Sequence, residues 1–357
     1  CPSGLYCAIN KRIKLIMAYT TINKHTAHFN TKLYTGNGST NAITGVGHQP
    51  DLVWTKRRDN TGNHSLYDVV RGVTKRLESD TADAEGTVAT SLTAFDSDGF
   101  TLGSGGDSNG NGETYAAWNW KAGGAGSSNS DGTIASTVSV NTTAGFSIVK
   151  YTGPGSGSAT VGHGLGVKPK LLIIKSMTNS ENWGFWIDTT GNGTADKRLV
   201  LNGNAGDYGN YFVSFQNNTF TLPSHNDGSW SGSGQNYIAY CFAEKTGYSK
   251  FGSYTGNNSS NNAFIYTGFK PKFFITKRSS DTAQWVLWDG VRDTTNPLYK
   301  FVYPSSNGGE GSSAYLDFVS NGVKIRDNNN KWGNGTYVFM AFGQTLVGSN
   351  NIPATAR

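Results

Sequence analysis

The chain has 357 residues, of which 36% are hydrophobic, 12% aromatic and only 15% charged, with 47 glycines against 9 prolines. That balance describes a packed protein rich in turns and excludes charge-driven disorder and coiled coil, because the missing charged share has gone to Gly, Ser, Thr and Asn. The net charge is +6, but Lys11, Arg12 and Lys14 supply three of those charges and the other basic residues are scattered, so no nucleic-acid partner is expected; without an apolar run of about 18 to 20 residues, membrane insertion is not expected either.

The opening segment CPSGLYCAINKRIKLI changes character abruptly at Met17, and residues 1–16 read as a non-native upstream piece with the true start at Met17. Its basic stretch is not followed by an apolar run of about 7 to 15 residues, so a secretory signal is not indicated. Residues 17–32 read as an amino-terminal arm. Cys1 and Cys7 lie in the doubtful segment, which leaves Cys241, in the strand-like run YIAYCFAEK, as a buried free thiol; neither a disulfide framework nor a cysteine metal site is available.

From Leu33 onward one plan occurs three times. LYTGNG (33–38) returns as KYTGPG (150–155) and SYTGNN (253–258), each followed by a proline opening an apolar run at Pro50, Pro169 and Pro271, 16, 18 and 17 residues after the tyrosine. An aromatic stretch then ends in Asp68, Asp188 or Asp289, 18, 19 and 18 residues after the proline, and a last strand-like segment carries Tyr115, Tyr237 or Tyr337. Between these landmarks, runs of four to eight residues bounded by Gly, Asn, Ser and Asp predict strands. FDSDGFTL (95–102), FQNNTFTL (215–222) and FVSNGVKI (318–325) predict hairpins, since their central residues tolerate positive φ. Residues 81–92 have room for one short helix. The expected fold is all-β, three tandem β-sandwich modules of jelly-roll or concanavalin-like type at 33–121, 133–248 and 249–345, with a Gly/Ser linker at 122–132 and a tail at 346–357.

The segments MAYTTI, LYTGNG, PDLVWTKRR, VRGVTKRL, FDSDGFTLG, AAWNWKAGG, GFSIVKYTG and GHGLGVKPKLLIIKS together resemble marine phage and cyanophage tail-fibre-like virion structural proteins, over nearly all of 17–348. The resemblance implies lectin-type sandwiches on a virion surface, made in the host cytoplasm. It also implies other virion proteins as partners and a homo-oligomer, a trimer being favoured.

Candidate chemistry is sparse. Asp68, Asp188 and Asp289 recur singly, which suits a turn better than sugar or calcium binding and lacks the second carboxyl a glycosidase uses. FDSDG resembles a calcium loop, but Gln216 and Asn218, then Val319 and Asn321, replace its two aspartates in the later copies. His48 and His163 have no histidine counterpart in the third copy, and no HxH or HxxxH pair exists. GHGLGVKP lacks the Lys-Ser/Thr of a phosphate loop, and there is no GxSxG elbow with a downstream acid and histidine in the expected order. No enzyme activity and no cofactor is expected. The better lead is Trp230, with Asn226 and Asp227 in HNDGSWSGSGQ, and Trp332, with Asn330 and Asn334 in RDNNNKWGNG. An indole face bordered by amides is what a shallow glycan site requires, and the competing role for each ring is to lid the end of its sandwich. Host-surface glycan recognition is the expected function. A ligand-free architectural or capsid decoration protein and a polysaccharide depolymerase are the alternatives.

Overall fold

The computed structural model describes residues 20–155, 157–313 and 316–345; the segment 1–16, Met17 and the tail 346–357 lie outside the described residues. Nearly all regular structure is antiparallel strand. The helical turns among the described residues are His25–Ala27 and Gly106–Asn109, and no helix there is long and apolar enough to cross a membrane.

One strand order recurs. The first large sheet runs Phe29–Thr35, Thr114–Trp120, Leu52–Arg57, Ser65–Asp68. The second holds Phe146–Thr152, Asn236–Phe242, Leu171–Ser176 and Gly184–Ile187 in the same relation, widened by Ser127–Asn129 and Ser136–Asn141 at one edge and Lys197–Val200 at the other. The third runs Ser249–Asn257, Asn334–Thr345, Phe269–Arg278, Val286–Asp289. In each, the strand bearing the YTG motif pairs with the last strand, which pairs with the proline-opened strand, which pairs with the aromatic one. The three anticipated hairpins are present, Leu92–Asp96 with Gly99–Leu102, Ser214–Phe215 with Thr219–Leu222, and Leu316–Val319 with Gly322–Ile325. Each hairpin takes one further strand to make a three-stranded sheet.

Burial explains the sequence pattern. Leu171–Ser176 is buried throughout. Leu172 and Ile174 pack with Phe215, Phe220 and Leu222 of the neighbouring three-stranded sheet, the packing of a β-sandwich. Leu171 and Ile173 point the other way, since alternate residues face opposite sides of a strand. A strand covered on both faces reads as a continuous apolar run. The same division holds for Val53 and Ala117 against Phe100 and Leu102, and for Phe274 and Trp288 against Phe318 and Val323.

The opposite faces of all three large sheets meet in one central core that includes Phe29, Trp54, Trp118, Ile173, Tyr240, Phe273 and Phe342. Hydrogen bonds close this arrangement cyclically. The Glu85 amide donates to the Met177 carbonyl at 3.1 Å, Asp207 to Ser279 at 2.8 Å, and Glu310 to Arg58 at 2.8 Å; each acceptor lies eight residues past its strand-opening proline. A second ring of bonds uses side chains at one shared register position. The Trp183 indole N–H donates to Glu78 O at 2.7 Å, that of Trp285 to Val200 O at 2.8 Å, and Nε2 of His64 to Tyr303 O at 3.1 Å. Trp54 donates to His64 Nδ1, so that ring is the neutral Nε2-protonated form, and burial holds its pKa well below the usual value.

The structure differs from expectation at three places. The stretch 122–132, expected as a linker, places Ala122 in the central core and forms the strand Ser127–Asn129. Residues 81–92 contain no helix; two of them, Gly86–Thr87, pair with Lys75–Arg76. The arm joins the first sheet at Phe29, buries Ile22 in the core, and is clasped to the far end of the chain, where His25 Nδ1 lies 2.6 Å from Gln344 Oε1 and Gln344 Nε2 donates to Asn23 O. A short polar arm docks because it covers core apolar surface that would otherwise face water.

Candidate functional site

The loops before the three last strands are built alike, and the YTG motif explains how. Its tyrosines stack on the last-strand tyrosines, Tyr34 on Tyr115, Tyr151 on Tyr237 and Tyr254 on Tyr337, with centroids 5.1, 5.2 and 4.8 Å apart. The hydroxyls of Tyr34, Tyr151 and Tyr254 donate to the carbonyls of Ser108, Trp230 and Trp332 at 2.7, 2.7 and 2.8 Å. The motif glycine brings the loop onto the strand: a Cβ at Gly153 would lie 2.3 Å from Gly232 O. The motif is therefore a loop clamp.

That clamp draws both candidate tryptophans inward. Trp230 is 0% exposed and Trp332 1%, in two separate cores, edge-on to Trp186 and Trp288. Neither indole has a face on which a sugar could stack; both lid the ends of their sheets, and Ser108 takes that place in the first copy. Of their companions, Asn226 is exposed, Asp227 caps a turn by accepting from the Ser229 amide at 2.7 Å, and Asn334 Nδ2 donates to Asn330 Oδ1 at 3.1 Å. Asn330, with Asn204, Gln284, Asn328 and Lys331, lines an open polar cleft of about 540 Å³ where the second and third sheets adjoin.

The three aspartates are not one position. Strand pairing sets Asp68 and Asp289 opposite Leu52 and Phe273, but sets Ile187 opposite Leu171, so Asp188 lies one residue further on, as its longer spacing from the proline records. Asp188 caps a turn, accepting from the amides of Thr190, Gly191 and Gly193. Asp68 binds buried Arg71 Nε at 2.5 Å and accepts from Tyr240 Oη at 2.8 Å; Asp289 binds Arg292 Nε at 2.5 Å and accepts from Trp118 Nε1 at 3.0 Å. All three are buried and saturated by the protein.

The other titratable groups are structural too. His48 Nδ1 lies 2.9 Å from Thr26 O, and burial pushes its pKa down to about 4. His163 sits between the Leu165 amide and Gln216 O, also depressed by burial. Burial raises the Cys241 thiol. Lys56, Lys175 and Lys277, six residues past their prolines, are buried, and burial lowers each to about 8. Lys56 reaches Asn307 O and Lys175 reaches Ala82 O, across the seams between sheets. Among the described residues no group of three or more His, Cys, Asp or Glu is placed to hold a metal ion.

One aromatic cluster that faces solvent lies outside the residues singled out from the sequence. Tyr208 is 47% exposed and Tyr211 39%; the Tyr211 ring stacks on exposed His225 at 4.6 Å and 14°. The guanidinium of Arg198 lies 4.5 Å from the Trp230 ring and 5.2 and 5.6 Å from the rings of Tyr208 and Tyr211. The signal was available in AGDYGNYF (205–212), two tyrosines in a Gly/Asn loop, the same pattern that singled out Trp230.

A family model described as a domain of unknown function, DUF7483, matches residues 24–345. No curated protein and no solved structure matches the chain.

Proposed function

The chain belongs to the DUF7483 family, and from its surface we propose that it is a non-enzymatic virion structural protein, three tandem β-sandwich modules closed into a ring, that binds host-surface glycans from a phage tail fibre or particle surface. The observation that carries the binding role is the exposed chemistry at the seam of the second and third sheets. There a cleft of about 540 Å³ presents the amides of Asn204, Gln284, Asn328 and Asn330, while Tyr208, Tyr211 and His225 are exposed on the second sheet pair. Sugar hydroxyls pair with planar amides that both donate and accept, and the apolar C–H face of a pyranose packs on an aromatic ring. The stacking role expected of Trp230 and Trp332 passes in this reading to the exposed tyrosines.

The modular reading is supported by one strand order in three large sheets, each covered by a three-stranded sheet, and by two sets of three cyclic hydrogen bonds. A ring of sandwiches is a rigid platform for loops, and rigid display reduces the ordering cost of binding. Assembly as a homo-oligomer, a trimer in the first instance, alongside other virion proteins would multiply weak contacts into avidity.

A glycan array probed with the folded full-length chain tests the reading. Binding is expected, with affinity falling about tenfold or more in Asn330→Ala combined with Gln284→Ala. A folded chain that retains no glycan would overturn it in favour of a ligand-free architectural role, and antibody labelling of intact particles that finds the protein absent would remove the virion assignment.

A further inference from the structure

We infer that Arg198 is the anchor of a binding site for an anionic sugar residue, carboxylated or sulfated, framed by Tyr208, Tyr211 and His225; the inference rests on the glycan-binding reading and specifies its ligand class.

The chain supplies its own comparison. Arg198 pairs with Trp186 on the edge of the second sheet. The bridges Leu66 to Leu77 and Leu287 to Val302 place Arg76 and Phe301 at the corresponding positions of the other two. Each of the three side chains packs near the clamped loop of its own sheet pair, and each meets a different environment. Arg76 is neutralised by Glu78 at 3.0 Å and by Asp107 from that loop. Phe301 carries no charge and packs against Trp332, ring centroids 6.1 Å apart. Arg198 keeps the charge and forms no ion pair among the described residues. Its Nη1 donates to Asn210 Oδ1 at 2.9 Å, while Nε is buried with no hydrogen-bond partner. Burial lowers its pKa, and the Asp227 carboxylate nearby, too far for an ion pair, offsets that only in part.

Nε is closed off from solvent, but a guanidinium with no carboxylate in ion-pair contact can donate charge-assisted hydrogen bonds from its Nη groups to an arriving oxyanion. Tyr211 is fixed by the Trp186 indole, whose N–H donates to its carbonyl at 2.9 Å, and it keeps a part-exposed ring beside Arg198. An acidic pyranose matches all the parts: its carboxylate or sulfate meets the guanidinium, its C–H face meets the exposed tyrosines, and its hydroxyls meet the amides of Asn210 and Asn226.

The test is titration calorimetry of the full chain with three probes of matched length, an oligouronate, a sulfated oligosaccharide and a neutral oligosaccharide. At least one acidic probe is expected to bind, more weakly as salt rises. Arg198→Met should reduce that affinity about tenfold or more, leaving neutral-sugar binding in the Asn330 cleft intact. Tyr208→Ala, a change at a half-exposed ring, should lower acidic-sugar affinity while neutral-sugar binding in the Asn330 cleft persists, which separates loss of the site from loss of the fold. Loss on methyl esterification of the oligouronate identifies the carboxylate; retention of only the sulfated probe identifies the sulfate. Acidic binding unchanged in Arg198→Met, or neutral binding without acidic binding, overturns this inference alone. Absence of binding to all three probes overturns the glycan reading together with it.

Discussion

Removing the Arg292 guanidinium is the sharpest perturbation of the central core. Asp289 and Arg292 are both fully buried, and the carboxylate accepts four N–H groups, from the amides of Val291 and Arg292, from Arg292 Nε and from the Trp118 indole. Arg292→Met leaves the anion in place with its counter-charge gone and removes the 2.9 Å bond from Nη2 to the Leu287 carbonyl, which then keeps only the Val302 amide at 3.1 Å. Breaking one side of a buried ion pair costs about 3 to 5 kcal/mol, and three surviving donors to Asp289 put the expected value near the lower end. At about 2.1 cal/mol/K of unfolding entropy per residue, a chain of 357 residues loses roughly 4 °C of melting midpoint for 3 kcal/mol. The chain holds a comparison for this substitution. Where the first and third sheets have Asp68 and Asp289 facing Tyr240 and Trp118, the second has Ile187 and the corresponding last-strand residue is Met340, both apolar and both in the central core. Ile187→Asp, with neither an arginine nor the donors that Asp289 keeps, should therefore cost more than Arg292→Met. Adding Asp289→Ile to Arg292→Met should cost less than the two single changes summed. Urea unfolding followed by tryptophan fluorescence measures all of these. A cost below about 1 kcal/mol for Arg292→Met, or strict additivity in the double variant, would refute the claim that the pair acts as one buried unit.

Three further outcomes follow from the same geometry. Burial lowers Lys175 to about 8 in the folded chain, below its unfolded value near 10.5, so its unfavourable contribution is fully present below pH 8 and disappears as pH rises to 10.5; stability should climb from pH 8 until the buried tyrosines, raised above 10.0, oppose it near pH 10, and Lys175→Met should remove about a third of the lysine contribution, since Lys56 and Lys277 supply the rest, as calorimetry of both chains at stepped pH will show. Gly153→Ala pushes a methyl to 2.3 Å from Gly232 O, so it should destabilise by about 1 to 3 kcal/mol in chemical unfolding, and Gly256→Ala, 2.3 Å from Gly333 O, should match it. Trp332→Ala empties a buried site and should cost about 3 to 5 kcal/mol while leaving sugar affinity of the folded fraction unchanged; a selective loss of affinity at unaltered stability would return the indole to the binding surface.

The strands, their threefold recurrence and the hairpins were legible because they are local or periodic. Alternation places residues on faces, Asn-Gly and Asp-Gly mark turns, and a landmark kept in register three times marks a repeated pairing; Phe95, Phe215 and Phe318 each open the hairpin that their turn residues predict. The apolar runs after Pro50, Pro169 and Pro271 marked strands, and only the structure showed that both faces of those strands are covered. By itself, then, the sequence determined an all-β chain with one strand plan used three times. What covers the second face was decided only by tertiary structure, because apolar surface carries no address: the same leucines and phenylalanines would suit separate sandwiches on linkers or the shared core that forms. The same limit governed the sites. Trp230 and Trp332 stand among polar loop residues in the sequence, but a tyrosine hydroxyl about eighty positions away draws their backbone inward. Arg76 and Arg198 read alike as letters, and only the folded chain brings Asp107 to one of them and leaves the other facing two exposed tyrosines, since whether a charge is compensated depends on what folding sets beside it.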